Sequence, residues 1–121
     1  MEIKTFPCGG RSVAVVNADE AVIKSGQDAL DLMMTVKYES GCEAIVLGKE
    51  AFAPAFFTLS SGLAGEVLQK FVNYRVKLAI YGDFTGYKSK PLQDFIRESN
   101  KGKDIFFAPD EASAVEMLAG A

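Results

Sequence analysis

The chain alternates short, strongly apolar runs with longer segments whose apolar residues recur every three or four positions. Two β-prone runs come first, Glu2–Phe6 and Ser12–Asn17, and Pro7-Cys8-Gly9-Gly10 between them is a turn signal, so the pair predicts a hairpin. A helix follows. Ser25 is placed to cap it, with Asp28 near the positive end of its dipole. Ala29, Leu30, Leu32, Met33, Met34 and Val36 give it a broad apolar face that stops at Gly41. Ala44-Ile45-Val46-Leu47 is a continuous apolar run of strand length, as expected for burial on both faces.

A second helix is predicted from near Ser60-Ser61-Gly62 through Leu63, Val67, Phe71 and Tyr74, with Leu68 and Val72 alongside. Leu78-Ala79-Ile80-Tyr81 reads as another buried strand, closed by Gly82-Asp83. Ser89 and Pro91 open a third helix whose apolar side is Leu92, Phe95 and Ile96. Asn100-Lys101-Gly102-Lys103 ends it, with lysines at the negative end of the dipole. Ile105–Ala108 is the last strand, and Asp110 caps a final helix through Val115, Met117 and Leu118. The order is β-β-α-β-α-β-α-β-α. It predicts one α/β domain over residues 1–121, a hairpin followed by helices alternating with mostly parallel strands. A flavodoxin-like sheet is the competing architecture. It would want a glycine-rich or acidic loop after its first strand, and it seldom opens on a hairpin.

Composition narrows the chemistry. Of 121 residues 49% are hydrophobic and 24% charged, enough apolar material to fill a core. The formal charge of −3 disfavours general nucleic-acid binding, which needs cations to displace phosphate counterions. The absence of histidine excludes Ser-His-Asp triads, Cys-His dyads and His-ligated zinc. Two cysteines cannot supply a four-cysteine zinc site. Cys42 is expected in the core and Cys8 as an exposed turn thiol. No stretch approaches 18 apolar residues, and Met1–Pro7 has no signal-peptide pattern, so the expectation is a cytoplasmic protein with reduced thiols and no membrane association. Charge is uneven: Lys70–Lys103 holds eight basic residues against three acidic ones, on a chain that is otherwise acidic. The segment reads either as cations balancing helix dipoles or as a basic face toward an anion or acidic partner.

Ligands of open α/β sheets collect beyond the carboxyl ends of the strands. That rule selects Gly48-Lys49-Glu50, Asp83 to Tyr87, Pro109-Asp110 and the helix starts at Ser60-Ser61 and Ser89. Asp83 is the lone acid of its loop, so a turn residue satisfying nearby amides is favoured over a magnesium ligand or base. Ser60-Ser61-Gly62-Leu63 places a hydroxyl at a helix start. It reads as a plain cap or as a site where phosphate would meet free amides. Ala51–Phe57 carries three phenylalanines, too apolar for an uncovered loop. It closes the core, lines a pocket or makes a subunit contact, and it leaves a homodimer open.

Two resemblances follow from these residues. Leu59–Phe71, Asn73–Ile80, Phe95–Gly102 and Ala29–Met33 together resemble a bacterial family catalogued only as domain of unknown function 4180, over nearly the whole chain. That resemblance implies a small bacterial protein without an assigned activity. The element order and Ser60-Ser61-Gly62-Leu63 also resemble the STAS domain of anti-sigma-factor antagonists. There a serine in Asp-Ser-Ser-Gly-Leu is phosphorylated by a partner kinase. Ser60 holds the position of that serine, and Leu59 stands where the STAS family has aspartate.

The expectation is therefore a STAS-like, non-catalytic regulatory module without a cofactor. Its partner is a protein, a regulator or kinase, with Ser60 open to phosphorylation. The contact surface would draw on Ser61, Gly62, Phe56, Phe57, Asp83, Thr85 and Tyr87. The alternative is a small-molecule binding domain roofed by Phe52, Phe56 or Phe57 and closed by Asp83–Tyr87. An enzyme would have to use Asp83, Glu50, Cys8 or a lysine as base or nucleophile, and no pair of these is recognisably arranged.

Overall fold

The computed structural model describes residues 2–8 and 11–121, with the side chain of Cys8 outside the description. The chain builds one mixed five-stranded sheet in sequential order, β1 (Glu2–Cys8), β2 (Arg11–Asn17), β3 (Ala44–Gly48), β4 (Lys77–Tyr81) and β5 (Ile105–Ala108). The first two strands are antiparallel, with Glu2 opposite Asn17 and Cys8 opposite Arg11, and the rest are parallel. Pro7 and Cys8 thus belong to the strand rather than to a four-residue turn. Gly9 and Gly10, and the expected exposure of the Cys8 thiol, lie outside the described residues. The sequential order removes the flavodoxin-like alternative, because no strand order reverses and no switch point forms.

The helices are α1 (Gly26–Ser40), α2 (Leu63–Asn73), α3 (Lys90–Asn100) and α4 (Glu111–Ala119). Three of the four have side-chain caps: Ser25 accepts from the Asp28 amide, Ser89 from the Leu92 amide and Asp110 from the Ser113 amide. The first amide of α1, that of Gly26, also donates to the Glu66 carboxylate of α2. Among the described residues no helix is long and apolar enough to cross a membrane.

In the central strands residue size sorts the two faces of the sheet. β3 alternates Ala44, Ile45, Val46, Leu47, and β4 alternates Leu78, Ala79, Ile80. The larger set, Ile45, Leu47, Leu78, Ile80 and Phe107, packs with residues of α1, α2 and α3. Val13, Val15, Ala44, Val46, Ala79 and Ala108 lie on the other face under α4 alone, against Ala114 and Leu118, with Phe106 of β5 the one bulky ring among them. Cys42 is buried with the larger core. The helix faces are narrower than the apolar pattern suggests. Met34 is 44% exposed, and Val72 and Tyr74 are 46% and 50% exposed. Ala29, Leu32, Met33 and Val36 fill the buried stripe of α1, and Ala64, Val67, Leu68 and Phe71 that of α2. At a 3.6-residue period the extra apolar positions rotate into solvent.

Candidate functional site

Between β3 and α2 the backbone makes three short 3-10 turns, Lys49–Ala51, Pro54–Phe57 and Leu59–Ser61. They fold the phenylalanine run inward: Phe52, Phe56 and Phe57 are buried, with Phe56 between the other two at centroid distances of 4.5 and 4.9 Å. A parallel bridge from Phe52 to Ile23 ties this segment to the residues before α1. Phe56 is only 1% exposed, so it belongs to the core and offers nothing to a partner. Phe57 reaches the surface at its edge.

The start of α2 lies later than the sequence pattern places it. Gly62 precedes the helix at φ 81°, a left-handed conformation that glycine adopts without steric cost, and it makes no side-chain cap. Ser60 and Ser61 therefore sit in the turn before the helix, not at its first position. Their hydroxyls differ. Ser61 Oγ donates to the Ala55 carbonyl at 2.6 Å and accepts from the Leu63 amide at 3.2 Å, which fastens the turn to the helix. Ser60 is exposed and has no hydrogen-bond partner among the described residues.

The loop after β4 is held from three sides. Gln93 of α3 donates through Nε2 to the carbonyls of Phe84 and Tyr87, at 2.8 and 2.9 Å. The Phe84 ring packs 6.0 Å from Phe57 and 5.4 Å from Phe107. Lys49 Nζ donates to the Asp83 carbonyl at 2.8 Å and lies 5.2 Å from the centre of the Tyr87 ring. The lysine stem passes so close to Gly82, at φ 156°, that a β-carbon there would sit 2.8 Å from Lys49 Cγ. The Asp83 carboxylate accepts from the hydroxyl of Thr85 at 2.6 Å and from its amide at 2.9 Å. Those two bonds hold its pKa below the ordinary value. It is engaged as a turn residue.

Phe57 and Tyr87, 5.3 Å apart, form a ridge between two open clefts. One, of about 390 Å³, is lined by Thr58, Leu59, Ser60, Lys88 and Ser89. The other, of about 350 Å³, is lined by Ala21, Lys49, Glu50, Phe52 and Pro54. A third, of about 270 Å³, carries Asp83 and Thr85 on the far side of Phe84. So Ser60, Phe57 and Tyr87 share one cleft, whereas Asp83 and Thr85 face another and Gly62 lines none of the three. Lys49 lies in a segment that the strand-end rule selects, whereas nothing in the sequence singles out Lys88 or Gln93 for this corner. Lys49 follows a buried strand, which is the signal that places it at this edge. Lys88 and Gln93 flank the predicted helix cap at Ser89, but which way they point depends on the loop.

Chemically the corner offers the hydroxyls of Thr58, Ser60 and Tyr87, none of them hydrogen-bonded among the described residues, an aromatic ridge and two lysines. Tyr81, beneath it on the α4 face, has its phenol pushed above the ordinary value by burial and by the carboxylates of Glu111 and Glu50. Among the described residues no group of three or more acids and cysteines is placed to hold a metal ion. Compared with known proteins, the chain matches no curated protein and no solved structure. The sequence pattern of one family, described as Domain of unknown function (DUF4180), matches residues 8–118, and the chain belongs to that family.

Proposed function

We propose that the protein is a non-catalytic regulatory module, STAS-like in design, which docks a protein partner at the corner formed by the Leu59–Ser61 turn and the Phe57–Tyr87 cleft. Phosphate on Ser60 would set the affinity of that docking. The observation that carries this reading is the contrast between adjacent serines: Ser61 is used in both directions by the fold, and Ser60 is exposed and unengaged. The opening hairpin, the sequential strands and the three helices over one face are in keeping with the STAS resemblance. A phosphoryl group would bring roughly two negative charges to a cleft that also holds Lys88, close to the positive end of α2. Leu59 packs against the core, so recognition of Ser60 draws on the cleft rather than on a neighbouring carboxylate. A cytoplasmic location goes with this reading.

Intact-mass spectrometry of protein purified from its native cell tests it, together with pull-downs comparing wild type and Ser60→Asp. A phosphorylated fraction and altered capture by Ser60→Asp are expected. A wholly unmodified population in every growth state, with Ser60→Asp capturing the same proteins as wild type, overturns the switch. The two clefts beside the Phe57–Tyr87 ridge favour a second reading, a small-molecule binding domain. Native mass spectrometry showing a co-purifying small molecule supports that reading, and its absence from freshly isolated protein counts against it.

A further inference from the structure

The opposite end of the sheet, at the amino ends of the parallel strands, carries a cleft of about 340 Å³ lined by Arg11, Ser12, Cys42, Glu43, Arg75 and Lys77. Three cations from β2, β4 and the turn before β4 meet there, against one acid. Glu43 already has Lys37 3.8 Å away, and Lys77 is shared between the Lys103 carbonyl and Asp104. Arg11 gives one Nη1 donor to the Leu118 carbonyl and has other donors left. Arg75 has no ion pair or side-chain hydrogen bond among the described residues.

Arg75 is also the only described non-glycine residue at positive φ, 57°. It sits just past the end of α2, where its amide donates to the Val72 carbonyl and the next amide, of Val76, to Phe71. Glycine is the usual residue at such a helix end, because a β-carbon is sterically disfavoured there. The chain thus keeps an arginine where glycine would serve the backbone better, and aims that position at a cleft with a second arginine. Cations at helix carboxyl ends can simply answer the dipole, and Arg11 does so on Leu118. Arg75 makes no such bond to a carbonyl.

We propose that this cleft binds a phosphate dianion, free or carried by a small monoester, clasped by the Arg11 and Arg75 guanidinium groups with Lys77 beside them. A dianion matches the unengaged Arg75 guanidinium, the remaining donors of Arg11 and a partly neutralised lysine better than a single carboxylate does. The site lies at the end of the sheet away from Ser60 and is independent of the reading given above.

Titrating the ¹⁵N-labelled full chain with methyl phosphate, inorganic phosphate and succinate tests it, at ionic strength held constant with sodium chloride. Saturable shifts at Ser12, Glu43 and Lys77 are expected for methyl phosphate, with succinate at least about tenfold weaker. Tighter binding of inorganic phosphate than of methyl phosphate assigns the site to the free ion, and the reverse order assigns it to a monoester. Arg75→Gly is the decisive variant, because glycine favours the backbone conformation. It should keep or raise the melting temperature and weaken methyl phosphate binding about tenfold, and Arg75→Asn should weaken it similarly. Absence of saturable shifts in wild type, succinate binding as tightly as methyl phosphate, or undiminished binding by both variants overturns the proposal.

Discussion

Thr85 shows how far one side chain sets the state of another. Its hydroxyl and amide both donate to Asp83, and the hydroxyl bond is the larger cause of the depressed Asp83 pKa. Replacing it in Thr85→Val keeps the amide bond, so the Asp83 pKa should rise partway toward its ordinary value, as read by carbonyl-carbon NMR during an acid titration. Asp94, beside Arg97 and Lys90, and Asp110, at the α4 cap, are depressed in the same direction. A carboxylate with a lower pKa folded than unfolded adds stability above its unfolded value and loses it as the pH falls through its folded value. The denaturation midpoint should therefore begin to drop as the pH falls below the unperturbed 3.8. A midpoint flat down to the depressed range would contradict these bonds. In the core the decisive side chain is Phe56, which touches both neighbouring rings and is 1% exposed. Phe56→Ala should cost about 3–5 kcal/mol in chemical denaturation, the range for an aromatic removed from a packed interior. A loss below about 1 kcal/mol would mean that the turns before α2 are not packed as described.

At the level of elements, β5 is an edge strand with an unusual guard. Asn100, in the last turn of α3, uses its side-chain amide as a strand would: Nδ2 donates to the Phe107 carbonyl at 3.1 Å and Oδ1 accepts from the Phe107 amide at 2.7 Å. Exposed strand edges invite pairing with other chains. Asn100→Leu removes both bonds, so it should lower stability by about 1–3 kcal/mol and raise concentration-dependent association in light scattering. The other edge, β1, carries Lys4 and Pro7, residues that discourage such pairing. Legibility in the sequence follows the same local-versus-distant divide. The starts of α1, α3 and α4 are legible because Ser25, Ser89 and Asp110 act within three residues of themselves. The start of α2 is not, because three short 3-10 turns have no period to read and the helix opens on Gly62 rather than on a serine. The exposure of Met34, Val72 and Tyr74 is hidden for a different reason: an apolar stripe wider than the available contact looks the same in sequence as one that is filled. Of the candidate site, the strand-end rule finds the loops. It does not find Gln93 holding one of them or the ridge between Phe57 and Tyr87, since both depend on residues distant in the chain.

Taken as a whole, the molecule is asymmetric across its sheet. Three helices cover one face and a single helix, α4, the other, and along the central strands β3 and β4 the larger side chains face the three helices and the smaller ones face α4, while Phe106 of β5 also lies on the α4 side. Close approach of α4 depends on Ala44, Ala79 and Ala108, each at most 2% exposed. The two faces should therefore respond differently to changes in side-chain volume. Leu78→Ala, on the three-helix face, leaves a cavity and should cost about 2–5 kcal/mol. Ala79→Leu, one residue along but on the α4 face, adds volume where the helix already lies close and should cost about 1–3 kcal/mol. Hydrogen exchange separates the two mechanisms. With Ala79→Leu the amides of α4 should lose protection first, because that helix alone can move away, while α1 and α2 keep theirs. With Leu78→Ala protection should fall in the elements packed on the larger core, including α2. Equal loss in α4 and α2 for Ala79→Leu would mean that the sheet itself gives way, and the size alternation could then not be what seats the fourth helix.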